Sequence, residues 1–156
     1  MKSAIRFLLV YGMGLFVTIA CKPYQVPEFD KIILEYRDSI SDGAFNDGFT
    51  ITVMPKQCIV VVKASRKSIA NRTYQLREGQ FDQIKAVAQK IEEPGSYHRK
   101  KPESASKEIQ LLRKERVKYR LLWDNNYQLK PTTQAFERAI KALIPNLDKL
   151  LKAPQS

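Results

Sequence analysis

Two cysteines and one histidine are all this chain of 156 residues offers to thiol and imidazole chemistry, and each scarcity removes a class of protein. Cys21 and Cys58 alone cannot build the disulfide framework of a small secreted scaffold. No HExxH or paired-cysteine ligand set is present, and His98 is followed directly by Arg99, Lys100 and Lys101, whose charge repels a metal ion, so no metal site is expected. A G-x-S-x-G elbow is missing too, and a single histidine confines any hydrolase triad to one loop. The chain shows no internal repeat of about 20 to 50 residues and no long low-complexity segment. No motif asks for a cofactor, and none is expected. Acid is the other thing in short supply, with 16 Asp and Glu against 27 Lys and Arg.

What the chain does have is a distinctive beginning. Lys2 and Arg6 precede an uncharged run from Phe7 to Ala20, the order in which an export signal meets an acidic membrane surface and then its apolar interior. There is no twin arginine, which leaves the general secretion route. Thr18-Ile19-Ala20-Cys21 resembles the lipobox of bacterial lipoproteins, in the looser form found in the Bacteroidota type, since Thr18 stands where Leu or Val is more usual. The resemblance implies that residues 1–20 are a signal peptide and that the Cys21 thiol receives a diacylglyceryl group. Lys22, in place of Asp, then implies sorting to the outer membrane, and the lack of a following acidic stretch implies a periplasm-facing position. The competing reading is an uncleaved anchor, for which the run is shorter than the ~20 apolar residues of a comfortable span.

Removing residues 1–20 leaves 136 of the 156, enough for one domain with a real core. The leader holds two of the 27 basic residues and none of the 16 acids, so the mature part keeps 25 against 16 and a net charge of +9. In the envelope the available polyanions are lipopolysaccharide phosphates, phospholipid headgroups and acidic glycans; nucleic acid is not an expected partner. The alternative is a solvated basic surface that keeps a tethered protein soluble.

Residues 21–27, with Pro23 and Pro27, form the lipidated cysteine and its tether, residues 28–151 a single domain and residues 152–156 a tail. Alternation predicts strands at Lys31 to Arg37, Phe49 to Met54, Cys58 to Lys63 and Arg72 to Leu76. The lone thiol of Cys58 reads as a small buried hydrophobe. Phe81, Ile84, Val87, Ala88 and Ile91 then recur at helical spacing between Glu78 and Glu92. Glu93 to Ser106 has no apolar pattern and reads as a mobile loop. Ile109 to Trp123 reads as a hairpin tipped by Arg113-Lys114-Glu115-Arg116. Thr132 or Thr133 is positioned to cap a last helix bearing Phe136, Ala139, Ile140, Leu143 and Leu147, which Pro145 kinks or splits. The order ββββαββα gives an α+β fold, an antiparallel sheet of about six strands with two helices on one face. That order and the closing phrase Ala142 to Leu151 are similar to those of small Bacteroidota-type lipoproteins of unassigned activity, which implies no catalytic residues.

The candidate anion-binding site is the hairpin, where Arg113, Lys114, Arg116, Lys118 and Arg120 lie close together and Arg99, Lys100 and Lys101 approach from the loop. The competing role for these charges is to discourage edge-to-edge strand pairing. Asp42 to Gly48 superficially resembles a calcium loop but lacks the alternating acids and the distant Glu, so turn chemistry explains it. Asp38-Ser39-Ile40 resembles the O-glycosylation acceptor of Bacteroidota-type envelope proteins, at Ser39, while Asn71-Arg72-Thr73 fits an N-glycosylation pattern that a bacterial lipoprotein does not meet. These readings favour a lipid-anchored envelope protein that binds or supports an assembly. Two alternatives are an envelope hydrolase using carboxylates such as Glu28, Asp30, Glu35 and Asp38, and an inhibitor presenting the Asp38 to Gly48 loop to an enzyme.

Overall fold

The computed structural model describes residues 24–38, 48–64, 67–98 and 105–151. Among them the elements run β1 (Lys31–Arg37), β2 (Gly48–Met54), β3 (Gln57–Ala64), β4 (Lys67–Gln75), α1 (Gln80–Ala88), β5 (Ser96–His98), β6 (Ser106–Arg113), β7 (Arg116–Asp124), α2 (Pro131–Lys141) and α3 (Leu147–Leu151). The class is α+β, as the periodicities imply, but the sheet has seven strands in the order β4-β3-β2-β1-β6-β7-β5 and is mixed. The segment expected to be a loop supplies the extra strand, because Ser96, Tyr97 and His98 pair in parallel with Leu121, Leu122 and Trp123 of β7.

Alternation decides which face each strand buries. Cys58, Val60, Val62 and Ala64 of β3 point to one side, as do Ile32 and Leu34 of β1, Ile51 and Val53 of β2, and Ile109, Leu111, Tyr119, Leu121 and Trp123 of the β6–β7 hairpin. All but Ala64 join one core cluster with Phe81, Ile84 and Ala88 of α1 and Phe136 and Ile140 of α2, so the helices cover a single face. Burying each large apolar side chain there contributes about 1.5–3 kcal/mol. The other face carries mixed polar and apolar side chains. Edge strand β4 begins five residues earlier than the alternating stretch implies, at Lys67 in place of Arg72.

One correction concerns the C-terminal helix, its cap; the break at Pro145 is the one expected. Neither Thr132 nor Thr133 caps it: Lys130 is the N-cap in extended conformation and Pro131 occupies the first turn, where its missing N–H costs nothing. Pro145 splits the helix outright, and Asn146, with φ 57°, turns the chain into α3. Gly48 is required by close approach, since a Cβ there would overlap the Tyr36 carbonyl oxygen of β1.

Candidate functional site

The hairpin between β6 and β7 turns in two residues, Lys114 and Glu115, both left-handed with φ 49° and 60°. Such turns match strand twist but normally call for Asn or Gly, so this one is held from outside. The Lys114 backbone N–H donates to Asp30 Oδ2 at 3.0 Å, and Lys31 Nζ grips the Glu115 carboxylate at 2.5 Å. Arg113 pairs with Glu28 at 2.5 Å, which relieves its position directly opposite Arg116. A β-bulge at Leu111/Leu112 takes Lys118 out of the ladder and leaves Val117 49% exposed between two cations. The five expected anion-binding residues therefore divide. Arg113 and Arg120 are neutralised by Glu28 and Glu108, whereas Lys114, Arg116 and Lys118 reach solvent with no side-chain ion pair among the described residues. Cys21 and Ser39 lie outside the described residues, as do Arg99, Lys100 and Lys101 and most of the calcium-like loop.

The carboxylates proposed for hydrolysis do not converge. Glu28 and Asp30 sit by the hairpin tip, and Asp38 lies about 25 Å away along β1 beside the Tyr36 hydroxyl. Instead the helix-free face of the sheet pairs two acids that sequence did not bring together: Glu35 and Glu108 are register partners across β1 and β6. Arg120 donates to Glu108 from Nε at 2.6 Å and from NH2 at 3.3 Å, and Gln110 adds an amide N–H. Arg37 donates to Glu35 at 2.7 Å and Lys63 stands at 3.6 Å. Burial pushes the Glu35 carboxyl up, but Arg37 and Lys63 outweigh it and hold it below the usual carboxylate range. A general acid needs the opposite shift. This pair is an ion lattice that fixes the middle of the sheet.

On the helix side, Glu93 is 2% exposed, and its Oε1 accepts from the Lys130 backbone N–H at 3.0 Å and the Tyr127 hydroxyl at 3.3 Å. The carboxylate thus meets the positive end of α2. Burial, with Tyr24 and Glu93 adding to it, pushes the Tyr119 hydroxyl far above the ordinary phenol range. His98, expected to be a solvated loop residue, instead stacks on Tyr127 at 3.8 Å and lies 2.6 Å from Ser96 Oγ. Ser96 Oγ also lies 3.1 Å from the Pro94 carbonyl oxygen. The Ser96 hydroxyl is thus within hydrogen-bond reach of both the His98 ring and the Pro94 carbonyl, and the direction of the bond to His98 is set by the ring's tautomer. Among the described residues no three His, Cys, Asp or Glu side chains gather as a metal set.

A cleft of about 520 Å³ opens between α2 and the segment after β7, lined among others by Lys107, Asn125, Asn126, Tyr127, Glu137 and Arg138. Its acids are engaged: Glu137 lies 2.6 Å from Lys141 and 3.4 Å from Lys107, and Asp124 Oδ1 accepts from the Asn126 N–H at 2.9 Å. Asn125 and Asn126 read in sequence only as turn residues, and nothing there signals that α2 would face them. Cys58 is fully buried, and burial pushes its thiol up to about 12, which keeps it unreactive. No protein-family model matches the chain, and no curated protein matches it.

Proposed function

We propose that this chain is a lipid-anchored protein of the bacterial cell envelope, held at Cys21 on the periplasm-facing side of the outer membrane, whose domain acts by binding an anionic envelope component. The observation that carries the reading is how near Cys21 the packed residues lie in the sequence. Tyr24 already packs on Tyr119 with ring centroids 6.0 Å apart, and Val26 and Phe29 are core residues. Only Lys22 and Pro23 separate Cys21 from that docked ring, a leash of at most about 11 Å. A domain so tightly tied to its anchor suits work at the membrane surface. Support for binding comes from Lys114, Arg116 and Lys118, which the ion pairs around them leave uncompensated.

The intact mass of the protein from its native membrane tests the anchor: a chain starting at acylated Cys21 is expected, and Cys21→Ser abolishes both acylation and membrane retention. A polypeptide beginning at Met1, or one free in the cytosol without fatty acid, overturns the reading. Capture of anionic envelope extract tests binding, with loss expected for Lys114→Glu/Arg116→Glu/Lys118→Glu; Arg120 is left intact because reversing it would open the Glu35–Glu108 lattice.

A further inference from the structure

The strand register places several features at one end of the sheet. Lys31 pairs with Leu112, Ile32 with Val53, Met54 with Gln57 and Gln57 with Gln75, so the entry of the chain into β1, the β2–β3 turn, the exit of β4 and the β6–β7 tip share one rim. The exposed cations Lys56 and Arg77 sit on the same rim, toward its β3–β4 end and several strands from Lys114, Arg116 and Lys118. The acids at the tip itself are engaged by the fold: Glu28 holds Arg113, Glu115 holds Lys31, and Asp30 accepts the Lys114 backbone N–H. Val117, one of the large apolar side chains left substantially exposed, stands between Arg116 and Lys118. Tyr24, the first described residue, lies against Tyr119, two residues from Val117.

We infer that the β6–β7 tip is a second membrane contact, a rigid foot that sets Lys114, Arg116 and Lys118 against anionic phospholipid headgroups and Val117 at their apolar boundary, and so orients the domain on the leaflet that holds its lipid. The inference rests on the anchor at Cys21, because the leash keeps Tyr24, docked on Tyr119 three residues from the start of β7 at Arg116, close to the leaflet. The two chains of a diacylglyceryl group hold the protein on the leaflet but leave its orientation free, and each cation near an anionic surface adds about 1 kcal/mol of attraction. Three cations near an anionic surface shift the bound-to-free ratio on the order of a hundredfold, and salt weakens this within a Debye length of about 8 Å. The left-handed turn and its three external ties keep the foot in one shape.

The test uses the full chain as cells process it, purified from membranes and reconstituted into vesicles. Val117→Trp reports contact, because the native Trp123 is buried and supplies a constant background. In vesicles with about one third phosphatidylglycerol the new emission shifts to the blue and is quenched by lipid brominated in its acyl chains. In purely zwitterionic vesicles, at high salt, or with Lys114→Glu/Arg116→Glu/Lys118→Glu added, it does neither. Reversing Lys90, Arg138 and Lys149, exposed on the helix layer, makes the same charge change and leaves the signal intact. Equal emission and quenching in both lipids, or equal loss from the two triple reversals, overturns the foot. The mass of the same sample reports acylation separately: an unmodified Cys21 sinks the anchor, and the foot is then read on protein coupled through that thiol to a maleimide lipid, with the same two outcomes.

Discussion

Arg120→Ala is expected to destabilise the domain by about 2 kcal/mol, a magnitude that follows from the lattice on the helix-free face. Glu35 and Glu108 are register partners, and two unit charges about 6 Å apart repel by roughly 3 kcal/mol at an effective dielectric of about 20. Arg37 and Lys63 compensate the first acid and Arg120 the second. Without the guanidinium, Glu108, its side chain only 5% exposed, keeps the Gln110 amide as its close donor. Arg120 is itself 59% exposed, so water replaces part of the loss and the cost falls below the ~3–5 kcal/mol of breaking a fully buried pair. Adding Glu35→Gln should return about 1 kcal/mol, because the repulsion it removes is larger once Arg120 is gone.

Urea titrations of the parent, both single variants and the double variant at pH 7 measure the cycle. Acid supplies a second arm. The Glu35 carboxyl lies below its ordinary range when folded, so the stability it contributes is present above the unfolded carboxylate pKa and is lost as pH falls through the lowered one. Glu35→Gln therefore flattens the acid limb of the stability profile. An Arg120→Ala variant within about 0.5 kcal/mol of the parent, or strictly additive single changes, would refute the reasoning.

Other positions make independent predictions. Gly48→Ala forces β2 away from the Tyr36 carbonyl and should cost about 2–3 kcal/mol by thermal unfolding, while Ala at a surface helix site costs little. Thr133 is fully buried and its Oγ1 has no hydrogen-bond partner among the described residues, so Thr133→Val should stabilise by about 1 kcal/mol, raising Tm by a few degrees. The Cys58 thiol, pushed up to about 12 by burial, contributes stability that is complete below the unfolded thiol pKa and declines as pH rises toward 12. Relative to Cys58→Ala, the parent should therefore lose about 2 kcal/mol between pH 8 and pH 10.5, and the folded thiol should resist disulfide reagents that react at once in urea.

Much of the fold was legible because its core strands alternate. The register of Cys58, Val60 and Val62 against Ile51 and Val53 needs no more than period-two burial. What escaped is non-local. Ser96-Tyr97-His98 has neither length nor apolar alternation, and it is a strand only because the backbone of β7 lies beside it; Gly95 allows that approach, since a Cβ there would come within 2.9 Å of the Arg120 carbonyl oxygen. The basic hairpin was visible as composition, but which of its cations remain free depends on Glu28 and Glu108, one of them 85 positions away in the chain from its partner Arg113. Charge counts along a sequence cannot anticipate such cancellation. The cap of α2 was misplaced for a local reason: Pro131 starts the helix without any side-chain acceptor, so the threonines after it had no orphan N–H to claim.

The seam between β1 and β6 joins residues 69 to 81 positions apart, from Arg37↔Ser106 to Lys31↔Leu112, and β1 is the innermost strand although it comes first. During synthesis the meander of β1 to β4 emerges with one flank of β1 bare, its ladder groups unsatisfied until the last third of the chain arrives. The half made first therefore cannot lock into its final form before the piece that completes it, the last third of the chain, has been made.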